Sequence, residues 1–185
     1  MSSVPYSTGS PGLPFRLTMT ERSKDPSTEE NEMSRAFTHY WTGETVSEQE
    51  EGAPLEHTAD NRFRKSGVQT GDTVYVVNVR QGVLYLIGRM EVGRYADSIE
   101  EVQELLGYEP WEAADHLLAA PGTATRQSRN RRVPDAITRR LLFDTLKGDR
   151  GLVFLPDGKL DPQTLRGVRR LTRRSADLLD DLLDE

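Results

Sequence analysis

The sequence predicts an α+β domain: a small mixed β-barrel flanked by helices, with a pair of helices at the carboxy terminus. Residues 73–86 hold two segments with apolar side chains at every second position, which is typical of half-buried strands. Residues 35–42, rich in aromatics, predict another strand. Residues 99–106 and 161–184 place apolar side chains three and four positions apart, which is typical of amphipathic helices.

The hairpin at residues 73–86 is the best-defined predicted element. Residues 80–82, with the sequence Arg-Gln-Gly, are expected to connect its two strands, because a glycine at the last position can adopt the left-handed conformation of a bulged turn. Gly71 and Asp72 precede the first strand. They predict a turn in which the aspartate carboxylate accepts hydrogen bonds from nearby backbone amides.

The strand at residues 35–42 is expected to carry Phe37, His39 and Trp41 on one face and Tyr40 on the other. Packing in the core is the favoured role of Phe37 and Trp41. The alternative is that Tyr40 or Trp41 lines a pocket in which a planar ligand stacks, since stacking of a base on an aromatic ring contributes roughly 1–3 kcal/mol.

The flanking segments predict mostly helices and loops. Residues 43–60 are polar and are predicted to form a long loop, in which His57 is expected to be solvated; a position facing a pocket is the alternative. Beyond the hairpin, the predicted elements are helices from Ser98 and Pro110, an extended segment at 122–133, a helix from Pro134, a strand at 151–155, and helices at 161–171 and 176–183.

Composition limits the class of protein. There is no cysteine, and the three histidines lack the spacing of metal ligands, so neither a metal site nor a cofactor is expected. No apolar run reaches the length of about 20 residues that spans a bilayer. We therefore expect a cytoplasmic protein with no membrane partner. Residues 1–33 are predicted to be disordered, residues 34–156 to form the barrel domain, and residues 157–185 to form helices packed on it.

Charge is distributed unevenly along the chain. Residues 121–174 contain 14 basic and 5 acidic side chains, and 12 of the basic ones are arginine, which favours bidentate contacts to phosphate. The alternative is that these arginines pair with the acidic tail at residues 177–185. The predicted phosphate-binding residues are Arg126, Arg129, Arg131, Arg132, Arg139, Arg166, Arg169 and Arg170.

Signals of catalysis are weak. The chain has no nucleophile elbow and no glycine-rich phosphate loop of the GxxxxGK type, and its carboxylate pairs are predicted on solvated helix faces. No catalytic residue is therefore predicted, and an enzyme is the less favoured class.

Four short motifs resemble the EVE branch of the PUA-like superfamily: HYW at 39–41, NRF at 61–63, GDTVYVV at 71–77 and IGRMEVGRY at 87–95. The resemblance covers residues 35–155 and implies a small PUA-like barrel ringed by helices. It also implies a pocket for a modified or flipped base, in which His39, Tyr40 and Trp41 would supply walls and Asn61 an amide that reads the base edge.

Three functions follow from these features. The favoured hypothesis is a non-enzymatic nucleic-acid-binding reader, with a modified base in the pocket and phosphates on the arginines. The alternative is a regulatory subunit whose arginine-rich face docks an acidic protein partner, such as a nuclease. The third is an RNA hydrolase of the related ASCH type, for which Lys65 and Tyr75 are the candidate residues.

Overall fold

The computed structural model describes residues 34–184, so the prediction for residues 1–33 lies outside the described part of the chain. The strands in this part are β1 (Ala36–Tyr40), β2 (His57–Asp60), β3 (Thr73–Arg80), β4 (Val83–Tyr95), β5 (Asp115–Ala119), β6 (Leu142–Phe143), β7 (Arg150–Gly151) and β8 (Val168–Leu171). The helices are α1 (Gly43–Glu48), α2 (Ile99–Leu106), α3 (Asp135–Thr138) and α4 (Arg173–Asp181), with a 3₁₀ turn at Pro162–Leu165.

The strands of the described region form one mixed sheet in the order β2-β5-β4-β3-β1-β8-β6-β7. β1 runs parallel to β3, with His39 opposite Val76, and the other pairs are antiparallel. The 13-residue β4 pairs along its first part with β3 and at its end with β5. Hydrogen bonding between strands does not close the sheet, so the α+β class is confirmed but the predicted barrel is not.

Two core clusters lie on opposite faces of the sheet. The first contains Tyr75, Leu86 and Phe143 and is covered by Ala176 and Leu179 of α4. The second contains, among others, Phe37, Trp41, Leu55, Phe63, Val76, Ile87 and Leu117. Alternation along β1 and β3 explains this division, because neighbouring residues of a strand point to opposite faces.

The predicted hairpin is confirmed as β3 and β4, although its turn is shorter than expected. Arg80 pairs directly with Val83, which leaves two turn residues, Gln81 and Gly82, both with positive φ (53° and 78°). This conformation suits the right-handed twist of a hairpin. A bulge lies farther along β4, where Ile87 is the extra residue between the pairs Val76–Gly88 and Val77–Leu86.

The predicted helix starting at Pro110 is wrong: Asp115–Ala119 is a strand. β5 pairs on one side with β2 and on the other with β4, so its backbone bonds to two neighbours. Those ladder bonds and the complete burial of Leu117 outweigh the helical spacing of its apolar residues.

The predicted helix at residues 161–171 is also wrong, and with it the carboxy-terminal helical pair. A 3₁₀ turn ends at Leu165, Gly167 has φ of 78°, and the following residues form β8 between β1 and β6. A left-handed glycine ends a helix, which frees the next residues to pair with β1. The last predicted helix is confirmed as α4, and the helix from Ser98 as α2, with Ser98 and Gly107 as its caps.

Smaller departures occur elsewhere. The predicted loop at 43–60 contains α1 and β2, and the helix from Pro134 is reduced to the single turn α3, followed by β6. The strand predicted at 151–155 contributes only Gly151 to β7 and an isolated bridge between Phe154 and Leu160. No helix within residues 34–184 is both long enough and apolar enough to cross a bilayer.

The turn predicted at Asp72 is confirmed, and it ties two segments together. Its Oδ2 accepts hydrogen bonds from Gln69 N (2.7 Å) and Arg35 Nη2 (2.8 Å), and its Oδ1 accepts from Arg35 N and Nε (both 3.1 Å). The carboxylate is 4% exposed. It therefore connects the start of β1 to the start of β3, which are parallel neighbours.

We predict that Asp72→Asn lowers the free energy of unfolding by about 2–3 kcal/mol, because it removes the charge and one acceptor oxygen from a buried network. Urea denaturation of the purified protein measures this change. Asp97→Asn, at an exposed aspartate, is the matched control and should change stability by less than about 0.5 kcal/mol. Equal effects of the two substitutions would contradict the role assigned to Asp72.

Candidate base-binding site

Side chains from β1, from the residue that follows it and from β2 meet although three other strands separate β1 from β2 in the sheet. The Thr58 hydroxyl on β2 lies 3.0 Å from Trp41 Nε1 and 2.8 Å from His39 Nδ1, and all three residues are buried. Strands so far apart can touch only if the sheet curls. The five strands from β2 to β1 therefore wrap around the second core cluster, and Thr58 joins the two ends of that curve.

The hydrogen-bond directions at this junction follow from the donors available. Indole N–H can only donate, so Thr58 Oγ1 accepts from Trp41, and its own proton is free to be donated to His39 Nδ1. In that arrangement His39 Nε2 carries the proton and faces Asp60 Oδ2 at 3.3 Å. Burial opposes ionisation of Asp60, but the hydrogen bond from His39 and the nearby Arg62 hold the pKa of Asp60 below its ordinary value.

A cavity of about 730 Å³ opens on the outer side of this junction. Its aromatic lining consists of His57, Tyr108 and Trp111, and Trp41 packs edge-on behind Trp111 with ring centroids 5.8 Å apart. Trp111 Nε1 donates to the Ala59 carbonyl of β2 at 3.1 Å, which fixes the indole against the strand. The cavity is therefore built on the edge of the sheet.

His57 forms the inner wall of the cavity and stacks on His116. Their ring centroids are 5.3 Å apart at 14°, and His57 Nε2 lies 3.0 Å from His116 Nδ1. Burial, with added repulsion from His116 and His39, lowers the pKa of His57 to about 3. Burial also lowers the pKa of His116, although the Ala113 carbonyl and Asp115 act in the opposite direction. His57 is therefore neutral at pH 7.

The rim of the cavity is held by two arginines. Arg126 Nη1 donates to the Gly52 carbonyl at 2.9 Å, and Arg129 donates to the Gln49 carbonyl and pairs with Glu51 at 3.6 Å. These contacts fix the chain between α1 and β2 beside Gln127, which lines the cavity. The two guanidinium groups thus lie next to the cavity opening.

The structure brings together some of the residues predicted for the base pocket and separates others. His39 and Trp41 meet at Thr58, behind the cavity wall. Tyr40 does not lie with them, because it packs against the first core cluster on the opposite face of β1. Asn61 is exposed, and its Oδ1 accepts from Ala114 N at 2.7 Å, so it anchors the segment that carries Trp111.

The predicted phosphate-binding arginines are spread over several surfaces, and most are already engaged. Arg126 and Arg129 lie at the cavity rim. Arg132 pairs with Asp135 at 2.9 Å, Arg170 with Asp144 at 3.3 Å, and Arg169 lies on the Phe143 ring and bonds the Thr164 carbonyl. Arg139 lies on the Phe154 ring, Arg131 has a buried Nη1 without a hydrogen-bond partner, and Arg166 is exposed.

The alternative role of these arginines, pairing with the acidic tail, is not observed for the eight predicted phosphate-binding residues. Within residues 34–184, none of the eight forms an ion pair with a tail carboxylate. Asp180 instead binds Arg89 (2.6 Å) and the Tyr75 hydroxyl (2.8 Å). This contact ties α4 to the hairpin, and burial together with the bond to Asp180 raises the pKa of Tyr75.

The geometry does not assemble a site for the ASCH-type alternative. Tyr75 is 1% exposed in the first core cluster and bound to Asp180, whereas Lys65 is exposed on the turn that packs Phe63 and Val68 into the second cluster. A lysine and a tyrosine on opposite sides of the sheet cannot act on one bond. Within residues 34–184 no group of three potential metal ligands is clustered.

Sequence reasoning missed the main cavity residues. The sequence predicts a helix from Pro110 that includes Trp111 and a solvated loop for His57, and it assigns no role to Tyr108. A usable signal was present in Tyr108-Glu109-Pro110-Trp111, where two aromatics flank a proline that breaks the helical pattern. Their convergence with His57 depends on β2 pairing with β5, which the sequence did not reveal.

No family model and no curated protein matches this chain. A solved structure that it resembles is the YTH domain of the Zygosaccharomyces rouxii MRB1 protein, crystallised with N6-methyladenosine RNA. The two share 12% sequence identity with a TM-score of 0.42, over 87% of this chain and 91% of the YTH chain. The EVE resemblance therefore stays a prediction.

We predict that stability depends on pH through His57. Its pKa is about 3 in the folded chain, against about 6.5 in an unfolded one, so the unfolded chain takes up the proton first as pH falls. This contribution is complete above about pH 6.5 and is lost between about pH 6.5 and 3, by at most about 1.4 kcal/mol per pH unit.

Urea denaturation of the protein and of His57→Gln between about pH 7 and 5 measures this effect. The difference in unfolding free energy between the two proteins should shift in favour of the variant as pH falls. A difference that stays constant over this range would contradict a neutral, buried His57.

Proposed function

We propose that this chain is a nucleic-acid-binding reader that takes an unpaired or flipped base into the cavity between His57, Tyr108 and Trp111. The observation that carries the proposal is the set of aromatic side chains lining an open cavity of about 730 Å³. That volume lies within the range of about 300–1,000 Å³ typical of small-ligand pockets. An extruded base requires aromatic walls, and this cavity supplies them.

The residues behind the cavity hold these walls in place. Trp41, fixed by Thr58, supports Trp111 from behind, and Asn61 anchors the segment that carries Trp111. We assign His39, Trp41 and Asn61 to positioning rather than to direct contact with the base. Gln127 lines the cavity and offers a side-chain amide, which is the type of group that reads base edges.

Phosphate contacts are assigned to two arginines near the cavity opening, the exposed Arg126 and the partly exposed Arg129. Arg126 and Arg129 lie on either side of Gln127 and keep donors beyond those used on the rim carbonyls. A guanidinium group with spare donors can bind a phosphate oxygen. Arg166 provides a second exposed cation, next to Arg62, whose Nη1 lies against Gly167. Arg62 was not among the predicted residues.

Docking of an acidic protein partner is a second candidate, and a separate surface favours it. Leu142, Leu146, Val153 and Leu155 are large exposed hydrophobic residues around the β6–β7 hairpin, close to Arg170. Several large apolar side chains exposed near one hairpin favour a protein contact. A function confined to that surface would be insensitive to substitutions in the cavity, which separates the two proposals.

We predict that Tyr108→Ala and Trp111→Ala each weaken binding of a preferred modified oligonucleotide about tenfold, because each removes a stacking surface. Fluorescence anisotropy with modified and unmodified single strands measures the loss. Tyr108 is 41% exposed, so its removal should leave the fold intact. Tyr40→Ala, on the opposite face of β1, is the aromatic control and should bind normally. Unchanged binding by both cavity variants would contradict the proposal.

We predict that Arg126→Ala weakens binding to all sequences alike and reduces the slope of log K against log salt by about 1, because one phosphate contact is lost. Arg126→Lys keeps the charge and should retain most of the slope. Lys147→Ala removes an exposed charge from the turn after β6 and serves as the control. A slope unaffected by Arg126→Ala would remove this arginine from the phosphate contacts.

A further inference from the structure

The cavity has an unusual charge for a nucleic-acid site. Its lining includes four glutamates and, among the described residues, no lysine or arginine. The glutamates are Glu48 and Glu50 at the end of α1, Glu56 beside His57, and Glu109 between Tyr108 and Trp111. All four are exposed at the opening. The two rim arginines point to backbone carbonyls and to Glu51, and do not line the cavity.

The glutamates and the aromatic rings line the same cavity, so a ligand there would meet both. Glu56 and Tyr108 both line the cavity, and burial together with the Glu56 carboxylate raises the pKa of Tyr108 to about 12. His57 stays neutral at pH 7 and therefore does not offset these charges. A phosphate inside the cavity would be repelled, whereas a positively charged group would be attracted.

The orientation of the rings also suits a cation. The ring planes of His57 and Trp111 are tilted by 53° with centroids 5.4 Å apart, and those of His57 and Tyr108 by 63° at 6.4 Å. Rings at such angles surround a ligand from several sides, unlike the parallel walls of a slot for a flat neutral base. Aromatic faces attract cations, most strongly where water is displaced, and nearby carboxylates add a separate Coulomb attraction.

We propose that the base bound by this cavity is cationic, as adenine alkylated at ring N1 and guanine alkylated at ring N7 are. The inference rests on the proposed reader function and specifies its substrate class. Such a base combines a flat surface that stacks on Trp111 with a delocalised positive charge that faces the glutamates. Alkylation at N1 of adenine also blocks pairing with the complement, which lowers the energy needed to extrude that base.

The proposal is tested with single strands of roughly nine nucleotides, made as RNA and as DNA, that differ only at one central base. The central base is 7-methylguanine or 1-methyladenine, which are cationic, N6-methyladenine, which is neutral, or the unmodified parent. The expected result is that a cationic base binds at least about tenfold more tightly than its parent and than N6-methyladenine. The preference should shrink as salt rises.

The double variant Glu56→Gln and Glu109→Gln tests the source of that preference. It preserves side-chain size and should reduce the preference for the cationic base to within about twofold. Glu91→Gln removes an exposed carboxylate of β4 outside the cavity and should keep the full preference. An undiminished preference in the double variant would overturn the role of the carboxylates and with it the proposal.

The remaining outcomes separate this inference from the function on which it rests. Binding of N6-methyladenine as tight as that of the cationic bases, or tighter, would overturn the cationic preference while the reader function stands. Equal binding of all the single strands would also overturn the cationic preference alone, whereas no binding of any would overturn both.

Discussion

The hydroxyl of Thr58 is the contact on which the rest of the site depends. It joins Trp41 and His39 of β1 to β2, two strands separated by three others in the sheet. Without the Thr58 hydroxyl, the Trp41 indole N–H and the His39 Nδ1 would be buried without this hydrogen-bond partner. Each such unpaired group costs about 1–3 kcal/mol. Trp111 then packs on Trp41 and bonds β2, so the cavity wall is built directly upon the junction.

The local placement of the charged side chains matters more for this site than the net charge of each segment. The basic segment 121–174 does not form one phosphate-binding face, because several of its arginines hold carbonyl groups, aromatic rings or local carboxylates. Arg126 and Arg129 shape the rim that presents Glu48 and Glu50 to the cavity. The cationic base that we propose would lie among these carboxylates, with Arg126 and Arg129 beside the opening to contact the adjoining phosphates.

Patterns within short stretches of sequence correctly predicted the strands and helices whose conformation agrees with those patterns. The period-two residues of β1, β3 and β4, the capped helix α2 and the amphipathic α4 are all present because their patterns agree with their surroundings. β5 and β8 could not be predicted, since their apolar spacing fits a helix and only pairing with distant strands makes them extended. Two-residue strands such as β6 carry too little pattern to be recognised.

Of the site, the sequence predicted only residues that lie behind the cavity wall. The aromatic strand at 35–42 and its alternation placed His39 and Trp41 on one face, as observed. The cavity itself depends on Trp111 and His57, which lie 54 residues apart and come together through β2 and β5. An assignment of residues 110–120 to a helix therefore concealed the pocket. The sequence also did not indicate Arg62 as a candidate, because its position beside Gly167 depends on the pairing of β8, which was predicted as helix.

Nuclear magnetic resonance of the two indole N–H groups tests the central claim most directly. The chain has two tryptophans, so Trp111→Phe assigns both signals. At saturation with the preferred modified oligonucleotide, the Trp111 signal should show a large shift, because a base stacks on its ring, and the buried Trp41 signal a smaller one. Saturating binding that leaves both indole signals unchanged would show that the base does not enter this cavity.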